Sequence, residues 1–392
     1  YGMGLRSVNI GYGNKEIAKA CYDEIIKGNN LTRASLTELE AAKLLVDLIP
    51  SVEMVKFAKH GSTVTTAAVK LARAYTNRKY IAVPYEQPFF SFDDWFIGST
   101  ELTKGTLEET SNFTLKFHYN DIDSLNDLFN EYKGQIAGVI LEAATTLNPC
   151  DDACNKEVIC RNCPKNKNNF LQQVQKSCKD NGSVFILDEM ITGFRWHLQG
   201  AQTFYNIQPD LCTFGKAMAN GFSISALVGK KEIMKLGGLE HKKERVFLLS
   251  TTYGGETHHL RAAQKSIEIL NQNDYEVTKH IWNVGRTIKE NYNTLVKKHS
   301  LQEYTKMMGI DCRPYFYFKD NTIRTLFLQE MIKCGVLAQG IIPSYSHREN
   351  EIKQTLDAFD YSLRVLANAI SNNAVEKLLI GNAVKPVFRK YN

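Results

Sequence analysis

Val184-Phe185-Ile186-Leu187-Asp188-Glu189 decides how this chain is read: four apolar residues in a row end on two acids. A run without polar alternation suits a strand buried on both faces, as in a parallel sheet covered by helices, rather than a strand with one wet face. An acid at the carboxyl end of such a strand stands where α/β folds place ligand-binding groups. Further on, Lys216 follows 28 residues after Asp188, in Thr213-Phe214-Gly215-Lys216-Ala217, again behind a short apolar run. Each residue also has a plainer reading: Asp188 as an N-cap or surface acid, Lys216 as a solvated lysine at a strand–helix junction.

The same patterns recur on both sides of this stretch. Strands are expected at Glu53 to Ala58, Lys79 to Val83, Ile136 to Leu141, Leu211 to Phe214 and Ala226 to Val228, and amphipathic helices at Asn14 to Ile26, Leu36 to Leu48 and Val64 to Tyr75. That alternation predicts an α/β fold with a mostly parallel sheet covered by helices. From Thr257 to His299 the pattern is helical with a break near Asn271 to Asp274. Tyr315 to Phe318 and the Thr325 to Lys333 and Glu349 to Ile370 helices then predict a smaller α+β C-terminal domain. The expected division is an N-terminal segment over residues 1–30 packing with the small domain, a large domain over 31–280 with a Cys-rich insertion at 148–168, and a small domain over 281–392. Tyr1 falls inside what reads as an element, so a preceding segment is expected.

Composition narrows the function. With 43% hydrophobic and 23% charged residues over 392 positions, the chain has the make-up of a folded enzyme-sized protein. The balance of 48 basic against 42 acidic residues gives only +6, with no basic block interleaved with aromatics, so no nucleic-acid partner is expected. Apolar runs stay short of the ~18 residues of a membrane span, and no signal-peptide pattern opens the chain, so the reading is cytoplasmic with no membrane partner.

Taken in order, one acid and one lysine match the needs of pyridoxal phosphate, a ring that wants an acid to keep its nitrogen protonated and a lysine to form an imine with its aldehyde. A third element fits. Lys59-His60-Gly61-Ser62-Thr63-Val64 follows a strand and opens a helix, where unsatisfied N–H groups attract anions and glycine permits close approach, so Gly61 and Ser62 are phosphate candidates. The alternative there is a plain turn with Ser62 or Thr63 as N-cap.

Phe57 to Arg73, Val184 to Arg195, Pro209 to Gly229 and Ser250 to Glu256 together resemble the class III, fold-type-I pyridoxal phosphate aminotransferases, particularly the glutamate-1-semialdehyde aminomutase-like branch. The likeness runs in order from Gly2-Met3-Gly4-Leu5-Arg6 to Ser344-Tyr345-Ser346-His347. It implies Lys216 as the Schiff-base lysine and proton shuttle, Asp188 as the pyridinium partner, Met190 against one ring face and Phe89 stacked on the other. It also implies Glu142 near the substrate side, and Thr252 reaching the phosphate of a neighbouring subunit, so that the active site is shared across a homodimer. Arg6 is a candidate clamp for a substrate carboxylate or phosphate, or else a structural ion pair. Departures from the pattern fall at the pocket edge: Phe89-Phe90-Ser91 stands where Tyr-His-Gly is common, Ala143 where proline follows the glutamate, and His60 where a small polar residue is usual.

Four of the nine cysteines, Cys150, Cys154, Cys160 and Cys163, crowd one polar segment. Such thiolates suit a structural zinc, with disulfides, free thiols or an iron–sulfur cluster as alternatives. Cys21, Cys178, Cys212, Cys312 and Cys334 lie mostly in apolar settings and read as buried side chains. The function expected is transamination between a small-molecule amino donor and a carbonyl acceptor. The alternatives are an aminomutase or decarboxylase on the same platform, or a metal-binding interaction protein without catalysis.

Overall fold

The computed structural model of the protein describes residues 1–149, 169–249, 252–387 and 389–390. Two compact units emerge, the larger built on Gly13–Gln272 and the smaller on Tyr1–Tyr12 and Asn273–Val387.

In the larger unit seven strands form one sheet in the order β1-β7-β6-β5-β4-β2-β3. They are β1 (Met54–Ala58), β2 (Tyr80–Pro84), β3 (Thr114–Phe117), β4 (Ile136–Glu142), β5 (Val184–Asp188), β6 (Leu211–Phe214) and β7 (Ser225–Gly229). Strands β2 to β6 pair in parallel, and β7 enters antiparallel between β1 and β6. Every residue of β4, β5, β6 and β7 is buried, as uniformly apolar runs require.

The Gly61–Thr76 helix lies on this sheet through Val64, Ala67, Ala68, Leu71 and Ala72, small residues that let it sit close. Gly138 on β4 marks how close: a Cβ there would come 2.9 Å from the Val184 carbonyl oxygen and 3.3 Å from Ala72 Cβ. This helix begins at Gly61, three residues before the start expected from apolar periodicity, because Gly61, Ser62 and Thr63 make up most of a first turn that no hydrophobic residue marks. The Lys15–Ile25 helix buries Ile17, Cys21 and Glu24 and lies against the Thr257–Leu270 helix, with Thr257 Oγ1 donating to the Gly28 carbonyl at 2.9 Å. The expected segment over 1–30 is thereby divided, its first dozen residues in the smaller unit and the rest in the larger.

The smaller unit packs the Glu276–Lys298, Asn321–Lys333 and Glu349–Ser371 helices with a hairpin of β8 (Thr305–Met308) and β9 (Tyr315–Phe318). Its core centres on Tyr292, Phe316, Phe327 and Phe359, with Tyr292 and Phe359 meeting edge-on at 5.0 Å. Asp320 caps the Asn321–Lys333 helix by accepting from Ile323 N at 2.8 Å, which explains its start four residues before the apolar pattern. Among the described residues no helix is long and apolar enough to cross a membrane.

Candidate active site

Sheet register brings the chemistry together. Glu142 at the end of β4 is the cross-strand partner of Asp188 at the end of β5, and Asp188 is in turn the partner of Thr213 on β6. Lys216 follows three residues past Thr213, at the start of a short 3-10 turn over Lys216–Ala219. Its φ of 41° is a left-handed value that a side chain adopts at a cost of order 1 kcal/mol, as at many functional sites. The Thr257–Leu270 helix packs on that turn and fixes it. Glu142, Asp188 and Lys216, with Gly61 and Ser62, line one cavity of about 440 Å³ together with Met190, Phe89 and Phe92.

Asp188 is buried, 3% exposed, and both of its hydrogen bonds fall on Oδ1: Met190 N donates at 2.9 Å and Thr213 Oγ1 at 2.9 Å. Oδ2 therefore has no hydrogen-bond donor among the described residues. Burial pushes this carboxyl above the ordinary aspartate range, although the Met190 N–H, the Lys216 charge and the Thr213 hydroxyl pull the other way. Glu189, its neighbour in sequence, has a different job. Its carboxylate accepts from Ala201 N at 3.0 Å, Gln202 N at 2.9 Å and the Thr192 hydroxyl, tying down the turn after β5.

Met190 sits against two glycines at once: a Cβ on Gly61 would come 3.1 Å from its sulfur, and one on Gly215 would come 2.7 Å. The start of the Gly61–Thr76 helix has His60 as N-cap, with no side-chain cap bond, and Ser62 lies inside the first turn instead of capping it. Ser62 Oγ accepts from Phe92 N at 3.2 Å, and His60 meets the Phe92 ring at 5.5 Å. Phe89 is 43% exposed and edge-on to Phe96 at 6.3 Å.

Sequence reasoning missed the residue that holds Glu142. Gln87 donates from Nε2 to the Glu142 carbonyl at 2.8 Å and accepts from Glu142 N at 2.8 Å. Its amide does for the end of β4 what a peptide group of β2 would do, β2 having ended at Pro84. Fifty-five residues separate the pair, so no local signal could have found it. Ile191, Phe222, Ser223 and Ile224 also line the cavity, and the two isoleucines and Phe222 add apolar wall.

Other expected residues lie elsewhere. Thr252 is exposed in the turn before the Thr257–Leu270 helix and does not line the cavity. Arg6 belongs to the smaller unit, at φ 76°. Cys150, Cys154, Cys160 and Cys163 fall outside the described residues. Among the described residues one group has metal-like spacing, Glu256, His258 and His259, and the Lys59 ammonium is bound to two of its members.

An acceptor at the floor of the cavity, an amine beside it, a helix start lined by glycine and a sulfur wedged under the gap form a donor set that fits pyridoxal phosphate. The class III aminotransferase family profile matches residues 2–363.

The chain belongs to the class III aminotransferases.

A glutamate-1-semialdehyde 2,1-aminomutase of Thermosipho africanus is 30% identical over 378 residues, covering 90% of this chain and 84% of that protein. A 3-aminobutyryl-CoA aminotransferase of Cloacimonas acidaminovorans is 31% identical over 365 residues, covering 90% and 81%. Among solved structures, the FumI protein of Sphingopyxis sp. MTA144 in its PLP internal aldimine form matches with a TM-score of 0.81 at 23% identity, over 95% of this chain and 85% of that one. An omega-transaminase from Sphaerobacter thermophilus matches with a TM-score of 0.80 at 18% identity, over 93% and 86%. The family is one of pyridoxal phosphate-dependent amino-group transfer, and this class III member has the corresponding fold-type-I architecture.

Proposed function

We propose that the Lys216–Asp188 cavity is the catalytic site for amino-group transfer between a small-molecule donor and a carbonyl acceptor, worked by a homodimer. The alignment of Glu142, Asp188 and Thr213 across three neighbouring strand ends, with Lys216 one turn beyond, carries this reading. Pyridoxal phosphate, when bound, supplies an aldehyde for amines and an electron sink for the charge left when a bond to the amine-bearing carbon breaks.

The residues divide the remaining work. Asp188 would hold the ring nitrogen, and a cationic partner there would offset the burial that otherwise favours its protonated form. Met190 and Phe89, both lining the cavity, would bound the ring, and the Gly61–Ser62 helix start would hold the phosphate. Lys216 Nζ moves the proton on and off the amine-bearing carbon. Glu142, held at both backbone groups by Gln87, orders the substrate side. Arg6 is the candidate for a substrate carboxylate, and the exposed Thr252 for the phosphate in the second copy. Aminomutase chemistry, in which donor and acceptor are one molecule, is favoured as the second reading by the aminomutase relatives.

Cys150, Cys154, Cys160 and Cys163 are proposed to hold a structural zinc, a role that metal analysis of the purified chain tests. Free Cys21, Cys178, Cys212 and Cys312, all buried, agree with a reducing, cytoplasmic setting. The functional reading is tested by adding pyridoxal phosphate to the protein and then a panel of amines and amino acids. A visible absorption band should form, be bleached by the true donor with release of the matching carbonyl compound, and be missing in Lys216→Ala. A wild-type protein that stays colourless with added cofactor would overturn the assignment.

A further inference from the structure

Just past the end of β1, two residues before Gly61, Lys59 lines the same cavity as Gly61, Ser62 and Lys216. Its ammonium is fixed by two acceptors at the head of the Thr257–Leu270 helix, the Glu256 carboxylate and His259 Nδ1. The second oxygen of Glu256 accepts from Asn29 Nδ2 at 3.2 Å, and Phe222 of the cavity wall meets the His259 ring edge-on at 5.8 Å. Ser223 Oγ donates to the Lys59 carbonyl at 3.2 Å, so the main chain is held as well.

The protonation states agree with this geometry. Burial, then the Lys59 charge, holds His259 down to about 4, so its ring is neutral at neutral pH and Nδ1 accepts from the ammonium. Burial pushes the Glu256 carboxyl up, but the Lys59 bond and charge, with help from His259 and Asn29, outweigh it and keep the group ionised. An ammonium has three N–H donors. Two are engaged, and the third has no acceptor among the described residues.

Charge at the cavity decides what that donor is for. Among the described residues, the lysines lining the cavity are Lys59 and Lys216, set against the carboxyl groups of Glu142 and Asp188. Lys216 would be committed to the cofactor's aldehyde, and a helix start offers only about half a positive charge to a phosphate ester. We propose that Lys59 is a phosphate ligand of the cofactor site, its third N–H and fixed charge acting beside the Gly61–Ser62 helix start, with Glu256 tuning the strength by sharing the ammonium. This rests on the reading of Gly61 and Ser62 given under the proposed function.

The test strips the full-length protein of cofactor and titrates it with pyridoxal phosphate and, separately, with pyridoxal, which lacks the phosphate. Lys59→Gln should raise the Kd for pyridoxal phosphate about tenfold, the effect of one charge-assisted hydrogen bond, and leave the Kd for pyridoxal nearly unchanged. Glu256→Gln should act in the opposite direction and tighten pyridoxal phosphate, since the ammonium is then shared with no carboxylate. Equal weakening of both ligands in Lys59→Gln, or weakening in Glu256→Gln, would reduce Lys59 to a packing residue and overturn the proposal. So would an unchanged Kd for pyridoxal phosphate with a raised KM for an anionic substrate, because the anion met by Lys59 would then be the substrate's. If the wild type itself forms no absorption band with pyridoxal phosphate, the underlying reading fails; if the band forms and the Lys59 effects do not follow, this inference alone fails.

Discussion

Replacing Gln87 by alanine should loosen the end of β4 and with it Glu142. The side chain is 2% exposed, and its amide makes two hydrogen bonds of 2.8 Å, one to the N–H and one to the C=O of Glu142. Alanine leaves both backbone groups without that partner in a buried place, at about 1–3 kcal/mol each, so about 4 kcal/mol in all. For a unit of this size about 2–4 °C of Tm accompanies each kcal/mol, which predicts a fall on the order of 10 °C. Thermal unfolding followed by far-UV circular dichroism measures it. Two companion variants separate hydrogen bonding from packing. Gln87→Met fills the same space without either bond and should lose nearly as much, whereas Gln87→Glu keeps an acceptor for Glu142 N but sets a carboxylate against the Glu142 carbonyl and should lose at least as much at neutral pH. A Tm within about 2 °C of wild type in Gln87→Ala, less than 1 kcal/mol by that scaling, would refute the claim that this amide completes the sheet.

Two further outcomes follow from the same geometry. Asp188 is pushed above its ordinary range by burial, so in the cofactor-free protein the folded state holds this proton more tightly than the unfolded state. Its contribution is then greatest below the ordinary aspartate range and is lost as pH rises through the raised value. Asp188→Asn should therefore flatten the fall of the urea midpoint across that window, while lowering turnover by about 10²–10³ if, as proposed, Asp188 is the charged partner of the ring nitrogen; parallel urea curves for the two proteins would contradict the first half. Gly215→Ala should weaken cofactor binding at a cost of about 1–3 kcal/mol, since Met190 must yield to the new methyl. The backbone there is extended at φ −178°, so the contact 2.7 Å from the Met190 sulfur is the sole cause, and adding Met190→Ala should recover part of the loss.

Strands with uniform burial were legible because their composition leaves no choice of face: Val184–Asp188 and Ile136–Glu142 each run apolar up to one closing acid and are buried throughout. The edge strand Thr114–Phe117 and the hairpin strand Thr305–Met308 were not, since four residues of mixed burial offer too little pattern to distinguish a strand from a turn. Asp188, Lys216, Gly61 and Ser62 stood out in the sequence because each sits where an element starts or ends, and such junctions have local signatures. Glu189 stood out equally and proved to be a turn anchor, because neighbouring residues at a strand end project to opposite sides.

By itself, then, the order of residues determined which elements form and which polar groups close them, because hydrophobic period and junction chemistry are local properties. Tertiary structure alone decided that Gln87 would finish β4, that β7 would run against its neighbours, and that Lys59 would share its ammonium with Glu256 and His259. Those are pairings between segments far apart in the chain. Their partners are chosen by sheet register and helix packing, which no short window of sequence contains.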